Sequence, residues 1–190
     1  MYATLLKEYK KELIAEIEAI GESDFALCID LLLDAYRQDK QIFLAGNGGS
    51  AATANHFVCD LRKNAVRGDR RRFRVLSVCD NIETITALAN DIAFEEIFRQ
   101  QLVNLMNPGD LLIVVSASGS SPDLVRACEY AKERDARVMA LAGFGGGRVL
   151  DFADASVVSS MTSYERIEDL HLAVLHMVVC FFKEHQELFE

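Results

Sequence analysis

The residues of this chain best suited to chemistry fall in two short turns and two helical segments. Gly46–Ser50 reads GNGGS and Ser116–Ser121 reads SASGSS. Each directly follows an apolar run, QIFLA or LLIVV, and each opens a segment of helical character. Glycines in the first turn let the backbone fold sharply and bring its N–H groups against a ligand. The start of the following helix adds partial positive charge. Together they make an anion site that needs no lysine or arginine. The turn is neither a dinucleotide fingerprint nor a Walker loop, whose GK[ST] ending is missing, so no nucleotide cofactor is expected. In the second turn Pro122 suits the first helical position. Capping accounts for one of Ser116, Ser118, Ser120 and Ser121, and the remaining hydroxyls are spare donors. Phosphate has several acceptor oxygens and suits such a cradle. The two turns are therefore expected to close on one phosphate. A third glycine-rich stretch, AGFGGGR at Ala142–Arg148, is expected to be a mobile, mostly structural loop.

Histidines and carboxylates form the second group. His56 and Asp60 are four apart in the helical segment after the first turn, a spacing that puts both on one face. His171 and His176 lie near the C-terminus, just after Glu165, Glu168 and Asp169. A simpler account competes for each. Asp60 could pair with Arg62, Lys63 or Arg67. Glu165, Glu168 and Asp169 could complement a helix dipole. His176, between Leu175 and Met177, could be a buried structural residue. His171 reads as structural and His185 as a solvated bystander.

These groups need a scaffold, and the apolar pattern predicts one. Leu5, Leu6, Tyr9, Leu13, Ile14, Ile17 and Ile20 recur at helical spacing. Gly21 is expected to end that helix and Ser23 to cap a second, running to Tyr36. This helical pair, residues 1–38, is expected to pack on the domain or on partner subunits. Strands are then predicted at Gln41–Leu44, Phe73–Val78, Asp110–Val115, Arg137–Leu141 and Ala155–Val158. Helices are predicted at Ser50–Arg62, Ile82–Ala89, Phe94–Asn104, Pro122–Arg134 and from Ser163 onward. Short, continuously apolar strands are those buried on both faces. The alternation predicts one α/β domain over residues 1–190, a doubly wound parallel sheet of about five strands with ligands at the strands' carboxyl ends.

Bulk properties narrow the class. The 190 residues suit a single domain, and 51% hydrophobic with 26% charged residues is a globular composition. The net charge of -9 argues against nucleic acid. A local basic run, Arg62, Lys63, Arg67, Arg70, Arg71, Arg72 and Arg74, reads first as a solvated loop, with attraction of an anionic substrate as the alternative. No apolar run approaches a membrane span, and the charged N-terminus carries no signal peptide. Cys28, Cys59, Cys79, Cys128 and Cys180 show no CxxC spacing and are expected to be buried, reduced thiols, which points to the cytoplasm.

The order GNGGSAATANHF, LAND, SASGSS and YERIEDLHLAVLH resembles the SIS (sugar isomerase) family, and within it the phosphoheptose isomerases. The likeness spans nearly the whole chain. It implies a flavodoxin-like sheet, a homotetramer with sites between subunits, and a sugar-phosphate substrate. The implied reaction converts D-sedoheptulose 7-phosphate to D-glycero-D-manno-heptose 7-phosphate, for heptose-containing glycans. On matching positions it implies substrate contacts from Asn47, Gly48, Gly49, Ser50, Asp60, Asn90, Asp91, Ser116, Ala117, Ser118, Ser121 and Glu168. Ser116, Ser118 and Ser121 would hold the phosphate.

Moving a carbonyl along a sugar needs a base to carry a proton between carbons and an acid to protonate oxygen. The resemblance assigns Asp60 as base and His176 as acid. Some members bind zinc at the positions of His56, Asp60, Glu168 and His176, side chains that suit Zn2+. Two positions depart from the family. Asp60 stands where the family has glutamate, drawing the carboxylate back by ~1.5 Å, on a scale where ~1 Å can cost a hundredfold in rate. Glu168 stands where well-known members have glutamine. The alternatives are an isomerase of a different phosphosugar and a non-catalytic phosphosugar-binding or adaptor protein. The set His56, Asp60, Glu168 and His176 argues against the last.

Overall fold

The computed structural model describes residues 1–189. Helix α1 (Tyr2–Glu18) and helix α2 (Glu22–Arg37) precede strand β1 (Gln41–Gly46). There follow α3 (Gly48–Lys63), β2 (Arg74–Ser77), α4 (Ile82–Asp91) and α5 (Ile97–Leu105). The chain continues with β3 (Leu111–Ser116), α6 (Pro122–Glu133), β4 (Arg137–Ala142), β5 (Ala155–Val158) and α7 (Tyr164–Glu184). Among the described residues the strands form one parallel sheet in the order β2-β1-β3-β4-β5. This is the expected flavodoxin-like, doubly wound fold.

The apolar strands explain the layering. Ile42, Leu44, Ile113 and Val115 face a core shared with α2, α3 and α7. Phe43, Ala45, Leu112 and Val114 face the opposite core with α5 and α6. Both faces are covered, so alternation was never required of these strands.

The order places a switch point between β1 and β3. The chain leaves β1 through α3 on one face and leaves β3 through α6 on the other. The carboxyl ends of these paired strands, Gly46 beside Val115, therefore open onto a crevice that neither helix fills. Gly46 is dictated by packing, since a β-carbon there would lie 2.8 Å from the Ser50 carbonyl oxygen.

Several local expectations change. Helix α2 starts at Glu22 with Gly21 as its N-cap, so Ser23 lies within the first turn. Helix α4 runs through Asn90 and Asp91, and the break falls at Ile92–Ala93 instead. Cys28 and Cys128 are buried, but Cys59 and Cys180 are exposed, because each lies on the outer side of its helix. The opening helices also differ. Helix α2 buries Cys28, Leu32 and Tyr36, whereas α1 buries no residue and leaves Leu5, Leu6 and Ile14 more than half exposed. Helix α1 is held by polar contacts to the start of α7: the Tyr9 hydroxyl donates to Asp169, and Arg166 pairs with Glu12 at 3.1 Å. The Asp169 carboxylate, aided by partial burial, pushes the Tyr9 phenol up to about 12.

Candidate functional site

The two Gly/Ser turns meet at the switch point. Together they line a cavity of about 290 Å³. Asn47, Gly48, Gly49 and Ser50 form one wall, and Ser116, Ala117, Ser118 and Ser121 the other, with Tyr164 and Glu168 closing it from α7. Gly48 takes φ +52°, a left-handed conformation open to glycine at no steric cost, and so starts α3 without a side chain in the cavity.

Both helix starts leave their capping side chains free of cap bonds. Ser121 is the N-cap of α6, yet its hydroxyl makes no cap bond and stays available to a ligand. Asn47 is the N-cap of α3, and its amide instead donates to Asp123 Oδ2 at 2.7 Å. Asp123 is 1% exposed. Its burial raises the carboxyl pKa, opposed by the hydrogen bond from Asn47. Within the serine turn, Ser116 Oγ accepts from the Gly119 N–H at 3.0 Å and Ser118 Oγ from the Ser120 N–H at 3.3 Å. The hydroxyl protons of both serines remain free to point at an anion.

The third glycine-rich stretch braces this turn. The Gly143 N–H donates to the Ala117 carbonyl at 2.9 Å, and the Val149 N–H to the Gly119 carbonyl at 2.9 Å. A β-carbon on Gly147 would lie 2.5 Å from the Gly119 carbonyl carbon and 2.6 Å from the Ser118 oxygen. Only glycine allows that approach.

Helices α3 and α7 lie side by side and run in the same direction. Near their starts, the Glu168 carboxylate sits directly against Gly49. Further along, His56 Nε2 and His176 Nε2 face each other at 3.0 Å. Asp60 Oδ2 lies 3.4 Å from the first and 3.6 Å from the second. Asp60 Oδ1 accepts from the Asn64 amide at 2.7 Å, which fixes the carboxylate plane. The side chains of His56 and His176 are about half exposed and that of Asp60 is 11% exposed. His176 is therefore not a core histidine, and Asp60 turns to the imidazoles rather than to Arg62, Lys63 or Arg67. The buried histidine is His171, 0% exposed, with its ring pushed down to about 4 by burial, which the backbone of Ala142 only partly opposes.

The two imidazole nitrogens and the carboxylate oxygen lie within 4.8 Å of one another, a donor set that suits Zn2+. Glu168 is not part of that group. Two helical turns separate it from His176, and its carboxylate belongs to the cavity instead. Asn90 and Asp91 also stand apart. They are exposed at the end of α4, where the Asn90 amide donates to Asp91 Oδ1 at 2.8 Å, and neither lines the cavity. Sequence reasoning missed Asn64 and Asp123. Asn64 carried a local signal, one helical turn beyond Asp60, whereas nothing in the sequence ties Asp123 to Asn47.

A single parallel sheet covered by helices on both faces, with phosphate-type turns at its switch point, defines a class, and comparison with known proteins gives the same one. Residues 7–143 match the SIS domain model, and the chain belongs to the SIS domain family. Phosphoheptose isomerases are among its relatives. It is 32% identical to that of Geobacter sp. (strain M21), over 97% of this chain and 98% of that protein. It is 37% identical to that of Bordetella avium (strain 197N), over 84% of this chain and 82% of that protein. The solved structure of phosphoheptose isomerase GmhA from Neisseria gonorrhoeae superposes with a TM-score of 0.85 at 26% identity, covering 96% of this chain and 97% of that one. No helix among the described residues is long and apolar enough to cross a membrane.

Proposed function

We propose that the chain is an aldose–ketose isomerase that converts D-sedoheptulose 7-phosphate to D-glycero-D-manno-heptose 7-phosphate. The observation that carries this reading is the distance between the two parts of the site. Asp60, His56 and His176 lie seven to eleven residues beyond Gly49 and Glu168 along the parallel helices α3 and α7, ~10–16 Å by helical rise. A substrate anchored by a terminal phosphate and reacting at its far end must bridge much of that gap. A long sugar chain, built of bonds of ~1.5 Å, suits it better than a triose.

In this reading the amides at Gly48 and Gly49 and the hydroxyls of Ser116, Ser118 and Ser121 bind the phosphate, aided by the α3 and α6 helix starts. Asn47, held by Asp123, and Ser50 orient the sugar. The Asp60 carboxylate takes the proton from carbon and returns it to the neighbouring carbon. His176 protonates the carbonyl oxygen as the enediol forms, takes a proton back from the neighbouring hydroxyl as the new carbonyl forms, and assists ring opening, with His56 as its proton-sharing neighbour. In a zinc-loaded protein His56, Asp60 and His176 would instead be ligands, with no proton on their coordinating atoms. When bound, the ion supplies Lewis-acid polarisation of a sugar oxygen.

The exposed apolar residues of α1 support assembly as a homotetramer. The position of Asn90 and Asp91, outside the chain's own cavity, supports their serving a site between subunits.

The test is proton exchange. Purified protein is incubated in deuterated solvent with sedoheptulose 7-phosphate and with pentose and hexose phosphates. Deuterium is expected in the heptose, and Asp60→Asn is expected to abolish that incorporation while phosphate binding persists. Exchange with another sugar alone would replace the substrate. Binding without exchange would replace the reaction.

A further inference from the structure

A second cavity lies outside the site described above and shares none of its residues. It occupies about 610 Å³ between the outer face of α3 and the end of β2. Arg62, Lys63 and Arg72 line it, with Asn55, Ser77 and a single carboxylate, Asp80. None of the three cations makes an ion pair among the described residues, in a chain with a net charge of -9. Their neighbours behave differently: Arg71 and Arg74 both pair with Asp39, at 2.8 and 3.6 Å.

Two of the cations are nevertheless held in place. Arg62 donates from Nε and Nη2 to the Val75 carbonyl at 3.0 and 2.6 Å, which leaves Nη1 unused. Arg72 donates from Nη2 to the Gly68 carbonyl at 2.9 Å, and its Nη1 is buried without any acceptor. A buried donor without a partner costs free energy that a bound acceptor would recover. Guanidinium groups anchored by neutral carbonyls keep their full charge and lose little freedom on binding, the arrangement suited to phosphoryl oxygens. The volume falls in the range of small-molecule sites and exceeds what a lone inorganic ion needs.

We propose that this cavity is a second anion-binding site, built for a phosphorylated small molecule carrying at least two negative charges. Three unneutralised cations against one carboxylate set that charge. Ser77 and Asn55 supply neutral hydrogen-bonding groups for the rest of the molecule.

Calorimetric titration with inorganic pyrophosphate at low ionic strength tests it. Ser118→Ala/Ser121→Ala removes hydroxyls from the other cavity, and this variant is expected to keep a pyrophosphate site. Lys63→Gln and Arg72→Gln, made in that background, are each expected to weaken it roughly tenfold, the scale of losing one charge-assisted contact. Lys63 is exposed, so its substitution leaves the fold intact even if loss of the Arg72–Gly68 bond does not. Unchanged affinity in the Lys63→Gln protein, or no binding to the Ser118→Ala/Ser121→Ala protein, would overturn the proposal.

Discussion

His56 Nε2 and His176 Nε2 stand 3.0 Å apart with their rings inclined at 67°. At that separation the pair holds one proton between them or shares a cation, because two N–H groups cannot point at each other. Zinc is therefore expected to bind the purified protein through both imidazoles. His56→Ala and His176→Ala should each weaken that binding at least tenfold, read by competition with a chromogenic chelator.

Asn64 acts on Asp60 without reaching the imidazoles. Asn64→Ala would free Oδ1 and let the carboxylate rotate. Isomerase turnover is expected to fall roughly tenfold with little change in KM, because misorientation of a base raises the barrier without loosening the phosphate grip. A change in KM alone would remove Asn64 from this role.

Asp123 and Asn47 form the equivalent pair at the cavity. Asp123→Ala strands the Asn47 amide and is expected to lower kcat/KM by roughly ten- to a hundredfold. Asp123→Asn keeps an acceptor oxygen for the Asn47 amide and should rescue most of the loss. It also removes a buried ionisable group whose carboxyl is already pushed up, so its thermal midpoint should equal or exceed that of wild type.

Gly147→Ala tests the brace behind the serine turn. The added methyl would collide with the Gly119 and Ser118 backbone, so the turn must move. The expected loss is about 1–3 kcal/mol of stability, together with weaker phosphate binding. Chemical denaturation and phosphate titration measure the two effects separately.

His171 gives stability a pH dependence of known sign. Its folded pKa, pushed down to about 4, lies below its ordinary value of 6.5. The unfolded chain then binds more protons between these values, so this contribution is complete above about pH 6.5 and is lost as pH falls towards 4. The full difference is about 3 kcal/mol. Urea denaturation from pH 7.5 to 4.5 should show the decline, and His171→Gln should flatten it.

The sheet was legible because its strands are continuous apolar runs, and the two turns because glycine and serine follow those runs directly. The convergence of the turns follows from strand order at the switch point. Other features were not local. Ser23 had the chemistry of a cap, but Gly21, already extended before Glu22, took the position. Glu168 and His176 were partners by resemblance alone; their spacing of eight, ~12 Å along a regular helix, already set them apart, and the helix sends one to the cavity and the other to His56. The partnership of Asp123 with Asn47 crosses 76 positions and exists only once α3 and α6 begin at the same crevice.

The parallel run of α3 and α7 amounts to a ruler. The substrate's handle is gripped at its zero mark by backbone and hydroxyl groups, while the reactive side chains occupy graduations spaced ~5.4 Å apart, one for each helical turn. Shifting those side chains by one graduation would retune the scaffold to a shorter or longer molecule and leave the handle's grip untouched.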